Sequence, residues 1–273
     1  MYKRQIINYI KHLKQEDGLE SVNLTWYGGE PLLQYKRVIS LARRIDELGL
    51  KINENLLITN GYFFTPEIIK ELVDAKITEI QITLDGFKEI HDIRRPLANG
   101  KGTFDTIIEN LDNYYNSSFR DAFAIAIRVN IDNRNYKSFI DIYKWLNDRY
   151  KSKRLIVYPG VVVLDENDCN ASTCLSRNAV TDIVLDLFTK YGIITEELYP
   201  DDVNIECMTR SPYSMLIGSQ GEIYKCYEDL GNKELIVGNI NDPKVWSKYE
   251  LIAQYSVGID HYNDPECRKC SYL

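Results

Sequence analysis

The sequence predicts an α/β fold of short parallel strands alternating with helices, followed by a smaller cysteine-bearing region. Three observations carry this. Five segments of strand length are separated by longer segments with helical spacing of apolar residues. The polar and glycine-bearing stretches fall at the carboxyl ends of those strands, and after Leu164 the alternation stops. Helical connections between parallel strands make right-handed crossovers, and the loops at strand carboxyl ends form the functional rim of an α/β barrel.

In order, Ile6, Ile7, Ile10 and Leu13 predict an opening amphipathic helix over 6–14. Strand 22–27 runs into Gly28-Gly29-Glu30-Pro31, where paired glycines let backbone approach a ligand, Glu30 offers an acceptor to a cation, and Pro31 starts a helix. Helix 34–48, strand 52–59, helix 65–74 opened by a Thr-Pro cap, and strand 77–84 follow. Helix 103–115, strand 123–131, helix 136–149 and strand 155–163 complete the alternation. Next come a polar loop with Cys169 and Cys174, a helix over 178–191, a hairpin from Tyr213 to Cys226 turning at Ser219-Gln220-Gly221, and a short helix over 246–254. A domain boundary is placed near 195, giving domains 1–195 and 196–273.

With 273 residues, 44% apolar and 27% charged, the chain has room for one large α/β domain and an appendage. A formal charge of -7 supplies no basic field for a polyphosphate backbone, so a peptide or small substrate fits better than nucleic acid. No apolar run has the length of a membrane helix and no signal peptide is present, so no membrane partner and a cytoplasmic location are expected. Six cysteines without an export signal point to metal or chemistry rather than a disulfide framework.

Three further strand ends carry polar marks: Thr59-Asn60-Gly61, Thr83-Leu84-Asp85-Gly86 and Arg128-Val129-Asn130. Asn60 contacts either a ligand or only its own turn. His91-Asp92 with Arg94-Arg95, and then Gly100-Lys101-Gly102-Thr103-Phe104, complete a series that resembles the radical S-adenosylmethionine enzymes, more narrowly those with a SPASM cluster domain. The resemblance implies a partial (β/α)6 barrel lacking its first strand and cluster loop. It implies that Gly28, Gly29 and Glu30 meet the amino group of S-adenosylmethionine, that Thr83 and Arg95 help hold its carboxylate, and that Asn130 lies near the ribose, while Asn60 contacts the nucleoside or only its own turn. A zwitterion needs an acceptor for its ammonium and donors for its carboxylate, which an arginine fork supplies.

Cys207, thirteen residues, Gly221, four residues and Cys226 resemble the opening of the SPASM motif, and Cys267-x2-Cys270 its next element. The four would serve two auxiliary [4Fe-4S] clusters; four cysteines in two pairs also suit one tetrahedral zinc. Cys169 and Cys174 match neither element and are read as loop residues, His12 and His261 as surface residues. No C-x3-C-x2-C occurs, so the ligands of the catalytic cluster are absent, and the chain is expected to be a fragment cut at both ends. The implied parent, fed by a flavodoxin or ferredoxin, reductively cleaves S-adenosylmethionine to a 5'-deoxyadenosyl radical and acts on a peptide or protein, with a ribosomal peptide maturase first. A sulfatase-maturing type is second, and a non-catalytic zinc- or peptide-binding module comes from another class.

Overall fold

The computed structural model describes residues 2–161, 174–195, 207–257, 265 and 267–269. Residues 19–200 and residues 1–18 with 201–273 form two compact units.

The larger unit is a five-stranded sheet in the order β1 (Ser21–Trp26), β2 (Lys51–Thr59), β3 (Glu79–Leu84), β4 (Ala124–Ile131) and β5 (Leu155–Val161), with every neighbouring pair parallel. The crossovers carry α2 (Tyr35–Asp46), α3 (Pro66–Asp74), α4 (Lys88–Arg94) with α5 (Phe104–Tyr115), and α6 (Phe139–Tyr150); α7 (Arg177–Tyr191) follows. Numbering starts at α1 (Lys3–Glu16), which belongs to the other unit. The longer helices turn an apolar stripe to the sheet: Val38, Ile39 and Ala42 of α2 and Ile107, Ile108 and Leu111 of α5 are buried. They meet Leu57, Ile80, Ile82, Leu84, Ile125, Ile127 and Val129, almost wholly removed from water. Burying a side chain of this kind contributes about 1.5–3 kcal/mol, which makes this layer the main source of the unit's stability.

Parallel strands are usually apolar on both faces. Here β3 and β4 alternate, with Ile and Leu or Val toward the helices and Gln81, Thr83, Arg128 and Asn130 on the opposite face.

The five strands lie within two residues of their expected starts. The seven-residue α4 was not foreseen, and residues 31–34 and 136–138 form 3-10 turns before α2 and α6. The expected Thr65 cap is formed by extended backbone and Pro66 at the first turn, without a side-chain cap bond.

In the smaller unit, β6 (Leu216–Ile217), β7 (Glu222–Tyr224) and β8 (Gly238–Asn239) form an antiparallel sheet, and α8 (Tyr249–Val257) follows. The hairpin turns at Gly221, whose φ is +89° and where a Cβ would lie 2.6 Å from Asn241 Nδ2, so only glycine fits. Tyr2, Ile6 and Tyr9 of the first eighteen residues pack on Ile223, Val237 and Ile240, and the Trp246 indole donates to the Tyr9 hydroxyl at 2.7 Å. Trp246 also bridges Gly238, which is why α8 starts three residues later than expected. Among the described residues no helix is long and apolar enough to cross a membrane.

Candidate functional site

The carboxyl ends of β1 and β2 form one side of the rim. Gly28 and Gly29 follow Trp26 with φ of +98° and +45°, the region that favours glycine. A Cβ on either would meet nothing within 4 Å, so the pair borders open space and backbone conformation, not crowding, demands the glycines.

Glu30 ties this loop to β2. Its Oε1 accepts from the Leu32 amide at 2.9 Å and from the Thr59 hydroxyl at 2.6 Å, and its Oε2 accepts from the Asn60 amide at 2.7 Å. An ionised carboxylate has about four acceptor directions, so a single direction on Oε2 is left for an outside cation. Asn60 closes its own turn: its side-chain oxygen accepts from the Tyr62 amide at 2.9 Å, which leaves Nδ2 and one acceptor direction of that oxygen for a ligand.

Beyond β3 lies a charged clamp. Buried Asp85 receives Arg94 Nε at 3.0 Å, and Arg95 Nε stands 3.1 Å away as an ion pair without hydrogen-bond alignment. Arg94 Nη1 also reaches buried Asp132 beyond β4 at 2.9 Å, where Arg134 Nη2 joins at 2.6 Å. Burial raises the Asp132 carboxyl, but hydrogen bonds from Arg134 and the charge of Arg94 overcome it, leaving it below the usual carboxylate range. Asn135 Nδ2 donates to the carbonyls of Asp85 and Asn130, both at 2.8 Å. Arg94 and Asn135 thus strap the ends of β3 and β4 together, while Arg95, expected to serve a ligand carboxylate, lies beside Asp85.

The His91-Asp92 and Gly102-Thr103-Phe104 motifs explain each other. Asp92 Oδ1 accepts from the Thr103 and Phe104 amides at 2.8 and 2.9 Å, capping α5 from outside the helix. A Cβ on Gly102 would lie 2.1 Å from Asp92 Oδ2, so the glycine is required. His91 is fully buried: its Nδ1 accepts from the Asp85 amide at 3.2 Å, which puts the proton on Nε2, 2.9 Å from Thr103 Oγ1. Burial, aided by the charge of Arg95, lowers its pKa against the opposing pull of Asp85 and Asp92.

On the face away from the helices, Thr83 pairs in register with Arg128, Arg128 with Tyr158, and Asn130 with Gly160. The Tyr158 hydroxyl donates to Gln81 Oε1 at 2.8 Å, passing over the small Ala126 that lies between their strands. Arg128 stood in the polar mark at the end of its strand without a role, and Tyr158 and Gln81 were not singled out from the sequence. Their signal was the alternation Ala124-Ile125-Ala126-Ile127-Arg128-Val129-Asn130-Ile131, which sends Arg128 to the uncovered face.

In the smaller unit Cys207 is exposed and Cys226 half-buried, both free. Hydrogen bonds from the Thr209 side chain and backbone lower the Cys207 thiol's pKa, favouring the thiolate a metal would need. Buried Lys225, next to Cys226, donates to the Ser211 and Ser214 carbonyls at 2.6 and 2.8 Å, holding the loop after Cys207 against β7. The Cys267 side chain and all of Cys270 lie outside the described residues, as do Cys169 and His261. Among the described residues no three potential metal ligands converge. Cys174 is buried and disulfide-bonded. Cys174 is read from the sequence as a loop residue outside both motifs, and its disulfide corrects only the general expectation that the cysteines of this chain form none.

Residues 1–146 match the family model described as the radical SAM superfamily. Mycofactocin maturase MftC of Mycolicibacterium smegmatis is 33% identical over 110 residues, 38% of this chain and 26% of that protein. The serine-type anaerobic sulfatase-maturating enzyme of Klebsiella aerogenes is 29% identical over 102 residues, 36% of this chain and 25% of that protein. The matched segment thus spans about a quarter of the length of these curated relatives. Among solved structures, native anSMEcpe with bound AdoMet superposes over 99% of this chain and 76% of its own, with TM-score 0.68 and 18% identity. SuiB of Streptococcus suis bound to S-adenosylmethionine superposes over 99% of this chain and 64% of its own, with TM-score 0.62 and 16% identity. At these identities the likeness shows the fold.

Proposed function

The chain belongs to the radical SAM superfamily, and from that premise we propose that its sheet rim binds S-adenosylmethionine in an enzyme that modifies a peptide or protein. The observation that carries the reading is the Gly28-Gly29 turn bordering open space beside a Glu30 carboxylate fixed from three sides. Backbone carbonyls of the glycine pair and the remaining acceptor direction of Glu30 would receive the ammonium. Thr83 and Arg95 would face the carboxylate, and the Asn60 and Asn130 amides the nucleoside. Preorganised groups of this kind orient a flexible zwitterion and keep water from it.

When bound with a [4Fe-4S] cluster, S-adenosylmethionine supplies a hydrogen-abstracting radical after reductive cleavage of its sulfonium. The 273 residues contain no C-x3-C-x2-C, so they do not provide the ligands for that cluster, and no step is assigned to them through it. Cys207, Cys226, Cys267 and Cys270 fit two partly ligated auxiliary clusters of a SPASM domain, in the unit of residues 201–273 with 1–18 rather than in a domain 196–273 after a barrel over 1–195.

Peptide maturation is supported by the maturases among the relatives and by the likeness in fold to native anSMEcpe with bound AdoMet and Cp18Cys peptide. A ribosomal peptide maturase is the first reading and a sulfatase-maturing enzyme the second, with a flavodoxin or ferredoxin as electron donor and a cytoplasmic location. Equilibrium dialysis with labelled S-adenosylmethionine tests the binding role. Saturable binding that is abolished by Gly28→Val is expected, and absence of saturable binding, or equal binding by the variant, would reject it.

A further inference from the structure

The Arg95 guanidinium is held at the rim by charge alone. Its Nε lies 3.1 Å from Asp85 Oδ2 but out of line for a hydrogen bond, and Asp85 Oδ1 is likewise buried without a hydrogen-bond partner among the described residues. A fork that hydrogen bonds do not commit takes its direction from the backbone that carries it. That backbone is the C-terminal end of α4, a helix of seven residues whose last carbonyls have no partner inside the helix.

His91 holds this end through three atoms. Its carbonyl accepts from the Arg95 amide at 2.8 Å. Its Nδ1 takes the amide of Asp85, the residue whose carboxylate faces Arg95. Its Nε2–H donates to Thr103 Oγ1 at 2.9 Å, and that hydroxyl donates onward to the Arg95 carbonyl at 2.8 Å. The direction of the relay is set at both ends, because the Asp85 amide can only donate and the Arg95 carbonyl can only accept. The Phe104 ring meets the fully buried imidazole edge-on at 5.9 Å and leaves it little room to turn.

Thr103 shows what the relay serves. It stands just before α5, where a hydroxyl ordinarily caps the helix, yet its side chain makes no cap bond. Asp92 caps α5 instead, through the Thr103 and Phe104 amides. The Thr103 hydroxyl is thereby left to the Arg95 carbonyl, and the imidazole to the hydroxyl. A network that only started α5 would need neither bond.

We infer that His91 is a positioning residue for the cofactor site: through Thr103 and the Asp85 amide it sets the Arg95 guanidinium where the S-adenosylmethionine carboxylate binds. This rests on the cofactor reading above, in which Arg95 faces that carboxylate. The test compares binding of S-adenosylmethionine with that of its decarboxylated analogue, which keeps the ammonium and the nucleoside. In the wild type the carboxylate should strengthen binding about tenfold or more, the contribution of one hydrogen bond to a charged group.

Thr103→Val, close in shape to threonine, and His91→Asn should each cut that preference to about threefold or less while leaving the affinity for the decarboxylated analogue within about twofold. Thr103→Ser keeps the hydroxyl and should keep the preference. In Arg95→Ala the preference should be lost, and adding His91→Asn should remove nothing further. Equal losses for both ligands would show a structural role alone and overturn the proposal, as would an unchanged preference in Thr103→Val and His91→Asn, or one that survives Arg95→Ala. If the chain binds neither ligand, the cofactor reading fails, and the Arg95 Nε resonance of the arginine-labelled chain, assigned by its loss in Arg95→Lys, decides the rest. A shift in Thr103→Val that is absent in Thr103→Ser would uphold the setting of Arg95 by the relay, and no shift in either would overturn it.

Discussion

Replacing Glu30 by alanine removes the acceptor of three hydrogen bonds at once, from the Leu32 amide, the Thr59 hydroxyl and the Asn60 amide. Thr59 is buried and its hydroxyl also accepts from the Gly61 amide, so it does not simply turn to water. A hydrogen bond to a charged group contributes about 1.5–3 kcal/mol when buried. Water recovers part of this at half-buried Glu30, so a loss of about 2–4 kcal/mol is expected. For a unit of this size that corresponds to a fall in melting midpoint of about 4–16 °C. Glu30→Gln keeps one oxygen but turns an amide N–H against the donors on the other side, and should fall between wild type and alanine. The assay is thermal unfolding combined with residue-resolved amide exchange, in which the Leu32 and Asn60 amides become unprotected in the alanine variant. Unchanged melting with unchanged exchange at both amides would refute the claim that Glu30 ties the β1 loop to β2.

Because His91 is held neutral, with a pKa below that of the unfolded chain, the unfolded state takes up a proton that the folded state refuses once the pH drops below about 6.5. Stability should therefore fall with pH through that point by about 1.4 kcal/mol per unit until the folded pKa is reached; identical melting of wild type and His91→Gln at pH 7.5 and 5.5 would contradict it. Asp92→Ala removes the external cap of α5 and should cost about 1–2 kcal/mol in urea unfolding, whereas an unchanged midpoint would show that the cap carries no stability. Anaerobic reconstitution with iron and sulfide should load little stable cluster on this chain, since two cysteines are too few for each auxiliary cluster. One stoichiometric zinc without iron would assign the cysteines to a tetrahedral site instead.

The strands were legible because each buried face repeats every second residue, and the longer helices because their apolar stripes repeat at helical spacing. The rim was legible from Gly28-Gly29-Glu30, yet two of the three bonds made by Glu30, those from Thr59 and Asn60, were not, since they join residues 29 and 30 positions apart. Helix α4 is too short to show a period. The pairing of Asp92 with Thr103 and Phe104 could be read only as two adjacent motifs, because a cap from outside the helix depends on the fold of the loop between them. Similarly, nothing in Tyr2, Ile6 or Tyr9 says that they pack beside Ile223 and Val237, a contact of the tertiary structure alone.

The central claim, that the rim at the ends of β1 to β4 holds S-adenosylmethionine, is tested most directly by amide exchange of this chain with and without saturating S-adenosylmethionine. Slowed exchange should be concentrated in residues 27–33 and 59–62, with smaller effects at 83–86 and 128–132 and none in α6 or the β6–β7 hairpin. Protection confined to the smaller unit, or no change at 27–33, would contradict it.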